Sequence, residues 1–215
     1  MSIAIRTLGV GLCLAMSIPG LADILYTDGP VLGTTNAFFI DGPGSGPFSQ
    51  SISDGFIATN SGTATRLDFG EWVPTGRLPT SIAWALGTSA FASDISSGSV
   101  SQVGYTLDIT NNAYGYDVYT IQVNGLSGAL SGGSTYYLTL GGANDSAGSQ
   151  SDAWDVNGGS ATCYFAVGGV NGGGCGDAGE SFTLYGSAAP EPATIMLFGL
   201  GILGLAGVLR RRQTR

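Results

Sequence analysis

Apolar residues in this chain recur at every second position, in short bursts separated by glycine, serine, asparagine and aspartate, and no 12-residue window of residues 23–189 carries a clean 3.6 period. Ile82, Trp84 and Leu86 share one face, and Val103, Tyr105, Leu107 and Ile109 another. Tyr119, Ile121 and Val123 form a third, Tyr136, Leu138 and Leu140 a fourth, followed by Phe165 with Val167 and Phe182 with Leu184. Successive side chains of a strand point to opposite faces, so period 2 in β-branched and aromatic residues predicts strands. Asn124-Gly125, Gly132-Gly133, Gly141-Gly142 and Gly158-Gly159 read as turns between them, and two prolines among the glycines of 41–47 read as a loop. About ten short strands at near-regular spacing predict an all-β fold, an antiparallel β-sandwich that is jelly-roll-like.

The two ends follow other rules. Arg6, an 11-residue apolar stretch at 8–18, then Pro19-Gly20 and the small residues Gly20 and Ala22 predict a signal peptide over 1–22. Eleven apolar residues are too few for an anchor, and Leu12 before Cys13 argues against a lipoprotein signal. At the other end Pro190-Glu191-Pro192 precedes 17 residues without charge, 193–209, and then Arg210, Arg211 and Arg212. As a helix that run measures about 26 Å, enough for a single short transmembrane helix. The arginines would stay cytoplasmic and form the stop, leaving everything before Pro190 outside. Gly199, Gly201, Gly204 and Gly207 would let a second helix approach closely. The predicted organisation is a signal peptide at 1–22, an exported β-sandwich at 23–187 and a sorting segment at 188–215.

The proline-glutamate-proline motif, the glycine-studded apolar run and the terminal arginines resemble the PEP-CTERM sorting signal of Gram-negative bacteria. The resemblance implies that a membrane exosortase, acting through a cysteine, recognises Pro190, Glu191 and Pro192 and removes the tail. It implies an inner-membrane-anchored precursor, then a periplasmic, cell-surface or extracellular product beside exopolysaccharide and biofilm. Phe69-Gly70-Glu71-Trp72, the segment 136–140, Trp154-Asp155 and the segment 180–186 resemble a β-rich ectodomain common in that family. They imply a fold and no catalytic residues.

Residues 23–189 contain two arginines against fourteen acids, a net charge of −12, and the whole chain has no lysine and no histidine. Such a surface repels nucleic acid, whose binding needs cations on the phosphates. Without imidazole there is no Ser-His-Asp catalysis, and without lysine no Schiff base and no phosphate-cradling loop lysine. A carboxylate pair of the kind glycosidases use is the chemistry left, and fourteen acids make some pair inevitable. The expectation is a protein that is not an enzyme, with a minor glycoside hydrolase as the remotest alternative.

Once a signal is removed, Cys163 and Cys175 remain, an even count suited to an oxidising compartment, and they predict a disulfide. A zinc site would need further soft ligands that the chain lacks. Asp152, Asp155 and Asn157 place three oxygen side chains in six residues before a turn glycine, a candidate structural calcium site without EF-hand spacing. No other cofactor is expected. For carbohydrate binding, Trp72 and Trp154 are the candidate platforms, with the tyrosine group Tyr114, Tyr116 and Tyr119 behind them, whereas Trp84 lies in phase with core positions. The predicted function is a structural or adhesive component of an extracellular polysaccharide layer, and the alternative is a carbohydrate-binding module.

Overall fold

The computed structural model describes residues 23–41, 50–148, 151–159, 162–176 and 179–188. The predicted signal peptide, most of the 41–47 loop, the sorting tripeptide, the apolar run and the terminal arginines lie outside the described residues. Fourteen strands form and, among the described residues, no helix. They are β1 (Asp23–Thr27), β2 (Asn36–Phe39), β3 (Gln50–Ile57), β4 (Gly62–Pro74), β5 (Pro79–Gly87), β6 (Ser96–Val100) and β7 (Gly104–Ile109). The second half supplies β8 (Tyr116–Leu130), β9 (Thr135–Asp145), β10 (Ala153–Gly159), β11 (Thr162–Val167), β12 (Val170–Gly176), β13 (Gly179–Glu180) and β14 (Phe182–Ala188).

The strands make two antiparallel sheets. In the first, β4 is the spine: β8 pairs along one edge from Gly62↔Leu130 to Pro74↔Tyr116, while β14 and then β10 share the other. The second sheet runs β12-β11-β3-β9-β5-β6. The chain crosses between sheets at β2–β3, β3–β4, β4–β5, β6–β7, β8–β9, β9–β10, β10–β11 and β12–β13, so sequence neighbours often face each other across the core. That core is one cluster, with Leu67, Phe69, Ile121, Val123 and Trp154 from one side and Ile52, Ile82, Trp84, Leu86, Leu138 and Leu140 from the other. Tyr26 stacks at 4.7 Å on Phe56, which meets Phe182 edge-on at 5.5 Å, and Phe182 lies 5.8 Å from Trp154. This aromatic chain joins the two sheets.

Three turn and strand expectations are corrected. Gly125 and Gly142 are bulges inside long strands: each takes a positive φ (86° and 66°) where the ladder slips, opposite Ala64/Arg66 and Ser81/Ala83 respectively. Gly132-Gly133 is a true turn, between β8 and β9. The set Val103, Tyr105, Leu107 and Ile109 is not one buried face. Val103 is tied to the second sheet through Thr80 O, then the chain crosses to edge strand β7, where Tyr105 and Leu107 are 44% and 48% exposed.

Cys163 and Cys175 form the predicted disulfide, with Cα atoms 5.2 Å apart, clamping the β11–β12 hairpin. Replacing both by serine is expected to cost about 3 kcal/mol, the loop-closure value for a ring of this size. Urea denaturation of the double variant against the parent checks it; an unchanged midpoint contradicts it.

Candidate functional site

Among the described residues eight acids are buried: Asp41, Asp54, Glu71, Asp117, Asp145, Asp152, Asp155 and Glu180. A carboxylate removed from water needs hydrogen bonds, a cation or a proton. The only cations among the described residues are Arg66 and Arg77, and Arg66 is spent on Asp68 at 2.9 Å. The fold therefore meets these eight groups in different ways.

Asp155 and Asp117 are served by N–H donors. Asp155 accepts from Leu32 N at 2.8 Å, Gly33 N at 2.9 Å and Trp72 Nε1 at 2.7 Å, which pins the 29–35 segment to the outer face of β10. Asp117 accepts from Gly76 N at 2.9 Å and Asn111 N at 2.8 Å. Asp145 takes Arg77 Nη1 at 2.9 Å and the Ala147 N–H.

Asp54 of β3 and Glu180 of β13 meet between the two sheets. Glu180 N donates to Asp54 Oδ2 at 3.2 Å, and a bond joins the two side chains when one carries a proton. As two carboxylates, Asp54 Oδ1 and Glu180 Oε2 would have no donor. Burial pushes both pKa values up, and for Glu180 the neighbouring Asp54 charge adds to it. Asp28 adds a further like charge, and burial beside Asp28 raises the Tyr26 hydroxyl as well. Glu180 Oε1 rests 3.0 Å from the Cys163 sulfur, which as a half-cystine has no proton to give. Cys163, Cys175 and Glu180 place their ligand-type atoms within 4.8 Å of one another, but bonded cysteines offer no thiolate and this is not a metal centre.

The last group sits at one end of the sandwich. Glu71 lies on β4 in phase with Phe69 and Val73, so it points into the core, opposite Trp154 in the β4–β10 ladder. Asp152 precedes β10 in the phase of Trp154. Asp41 follows β2 and bridges Ala143 of β9, while Ile40 bonds Asp152 O through its N–H and accepts from Ala143 N. Asp145 ends β9. Neither oxygen of Asp41 or Asp152, nor Glu71 Oε1, has a hydrogen-bond partner. Burial, then the charges of Asp152 and Asp145, raises Glu71 far above its ordinary value. Asp152 is pushed to about 8 by burial, Asp145 and Asp41, with Arg77 opposing, and Asp41 to about 6 by burial.

An open groove of about 520 Å³ lies on the outer face of the first sheet, lined by Asp68, Asp108, Thr120, Ser181, Thr183 and Tyr185 among others. The Arg66 guanidinium covers the Tyr185 ring at 3.8 Å, and Asp108 accepts from the Thr120 hydroxyl at 2.6 Å.

Several sequence-derived sites are redistributed. Asp152, Asp155 and Asn157 do not converge: strand alternation sends Asp155 to the opposite face from Asp152, its carboxylate is saturated, and the Asn157 amide donates to Asp28 O. Trp154 is fully buried with its indole N–H on Ser181 O at 3.0 Å, so it offers no ring face to a sugar. Trp72 is 4% exposed beneath Tyr114 and Tyr116, and of these rings Tyr114, 58% exposed, is the displayed one. Trp84 is in the core as expected. The Asp41–Glu71–Asp145–Asp152 group escaped sequence reading because its members are scattered along the chain. Its one local signal was an acid at the inward phase of Phe69-x-Glu71-x-Val73.

Residues 188–212 match the family model of the PEP-CTERM protein-sorting motif. No curated protein matches the chain. The motif marks an exported protein with a membrane-anchored precursor and an exosortase as its processing partner. Among the described residues no helix is long and apolar enough to cross a membrane.

The Asp54–Glu180 pair makes stability pH-dependent in a defined direction. Raised folded-state values mean that the folded protein keeps a proton the unfolded chain has released. Stability is then full below the ordinary carboxylate range, near pH 4, and is lost as pH climbs through the raised values. The slope is at most about 1.4 kcal/mol per pH unit for each retained proton. Asp54→Asn, which supplies an amide donor to Glu180, is expected to flatten the fall between pH 5 and 8 in urea melts. The same slope in variant and parent contradicts this.

Proposed function

We propose that the chain is an exported surface or extracellular-matrix protein whose mature role is structural or adhesive beside exopolysaccharide in a biofilm. The observation that carries the reading is the sorting motif at 188–212. The precursor is held in the inner membrane by residues 193–209 with Arg210, Arg211 and Arg212 inside, and an exosortase cuts near Pro190-Glu191-Pro192. The exported part, 23–187, is a jelly-roll-like sandwich that reaches the periplasm, cell surface or medium. Its strong negative charge favours solubility over contact with nucleic acid.

A non-enzymatic role is supported by where the acids lie. A glycosidase needs a carboxylic acid of raised pKa that reaches the scissile bond. Among the described residues, Asp41, Asp54, Glu71, Asp152 and Glu180 are raised acids walled into the core, and Asp28 is a raised acid that is half-buried. The acids lining the open groove are engaged, Asp68 by Arg66 and Asp108 by Thr120. Replacing Glu191 by alanine is expected to block tail removal and leave export intact. Intact mass of the exported protein reads this, and normal trimming of the variant contradicts the sorting assignment.

A carbohydrate-recognition module is the second reading, favoured by that groove, which combines hydroxyls, carboxylates and the Tyr185 ring, a ring that Arg66 covers on one face. If it holds, binding on a glycan array falls at least tenfold in Tyr185→Ala and is unchanged in Trp72→Phe. Binding that survives the loss of Tyr185 removes the groove as its site.

A further inference from the structure

We propose that Asp41, Glu71 and Asp152 bind one calcium ion between the sheets, with Asp145 beside them held by Arg77. The site rests on the fold alone and is independent of how the tail is handled. Burial is the first support. Asp41 and Glu71 are 1% exposed and Asp152 is 0% exposed, and five of their six carboxyl oxygens have no hydrogen-bond partner. An unsatisfied buried polar atom is costly, and a buried unpaired charge more so.

The second support is contrast within the same molecule. Asp155 and Asp117 are met by N–H donors, Asp145 by arginine, and Asp54 by the Glu180 N–H, with the two side chains within hydrogen-bond reach of each other. By contrast, among the described residues Asp41, Glu71 and Asp152 have no arginine ion pair and no hydrogen-bonded acid partner, and five of their six carboxyl oxygens lack a donor. The Asp152 carboxyl feels the charge of Asp41 and Glu71 feels that of Asp152, with no side-chain hydrogen bond between them. With Asp145 neutralised by Arg77, three carboxylates remain for a divalent ion, close to charge balance.

The donor set selects the metal. All ligands are oxygen, which excludes the nitrogen and sulfur preference of zinc. Calcium accepts irregular shells of six to eight oxygens and bidentate carboxylates, whereas magnesium demands a strict octahedron and keeps its waters. No three of these carboxylates bring an oxygen each within 4.8 Å of one another. Opposite ligands on calcium stand about 5 Å apart, so the side chains must rotate inward to close on the ion. Such a closure would staple the Ile40–Asp41 segment, β4 and the start of β10 at one end of the sandwich.

The test uses the full-length chain purified in detergent, titrated with CaCl2 and separately with TbCl3. Calcium is expected to raise Tm by several degrees, reversibly with chelator. Terbium is expected to luminesce when tryptophan is excited, because Trp154 pairs with Glu71 across the ladder. The isosteric double variant Asp41→Asn/Asp152→Asn should lose both responses, and Glu71→Gln, the milder change should the double variant not fold, should weaken calcium affinity at least tenfold. Asp54→Asn should keep both responses, since it alters only the other acid group. The proposal is overturned by a parent protein indifferent to both ions, or by calcium affinity unchanged in Glu71→Gln or in the double variant. A response lost in Asp54→Asn but kept in the double variant overturns it as well.

Discussion

Among the described residues, eight buried carboxyls and the single arginine that pairs with one of them set the terms for this sandwich. An ordinary domain would place lysines, arginines or histidines against such groups, but this chain has no lysine or histidine at all. Each acid must then find main-chain N–H groups, a proton or an imported cation. Much of the architecture follows. The 29–35 segment lies where it does because Asp155 gathers its amides and the Trp72 indole into one acceptor. The Arg77 loop is drawn to the end of β9 by Asp145, and β13 is tied to β3 by the Glu180 N–H on Asp54. Aromatic stacking supplies the bulk of the centre, while the acids decide how the rims are closed.

The strands were legible because alternation is a direct consequence of backbone geometry. Ile82, Trp84 and Leu86, and Tyr136, Leu138 and Leu140, all turn inward as their spacing requires. Glycine was ambiguous, since a positive φ serves a bulge as well as a turn: Gly133 ends a strand, whereas Gly125 and Gly142 bend one that continues. The disulfide was legible from cysteine count and context. The aromatic candidates were not, because burial of Trp154 and Trp72 depends on which strands become neighbours. The acids show the same limit. Asp152, Asp155 and Asn157 are close in sequence and diverge in space, whereas Asp41 and Asp152 are distant in sequence and close the same rim.

Destination and architecture are written in separate parts of the chain. The sorting motif at 188–212 begins at Ala188, the last residue of β14, so the sheet runs directly into the sorting segment. A head stapled by a disulfide, and by acids that are content only when neutralised, suits a compartment that is oxidising and supplied with divalent ions. That environment lies outside the membrane to which the tail directs it.

Carboxyl-carbon NMR of the 13C-labelled protein, followed while calcium is added at fixed pH, tests the division of the buried acids most directly. The resonances of Asp41, Glu71 and Asp152 are expected to move together and saturate at one equivalent, with those of Asp54, Glu180, Asp117 and Asp155 staying in place. Uniform small shifts across every acid, exposed and buried alike, would contradict the account.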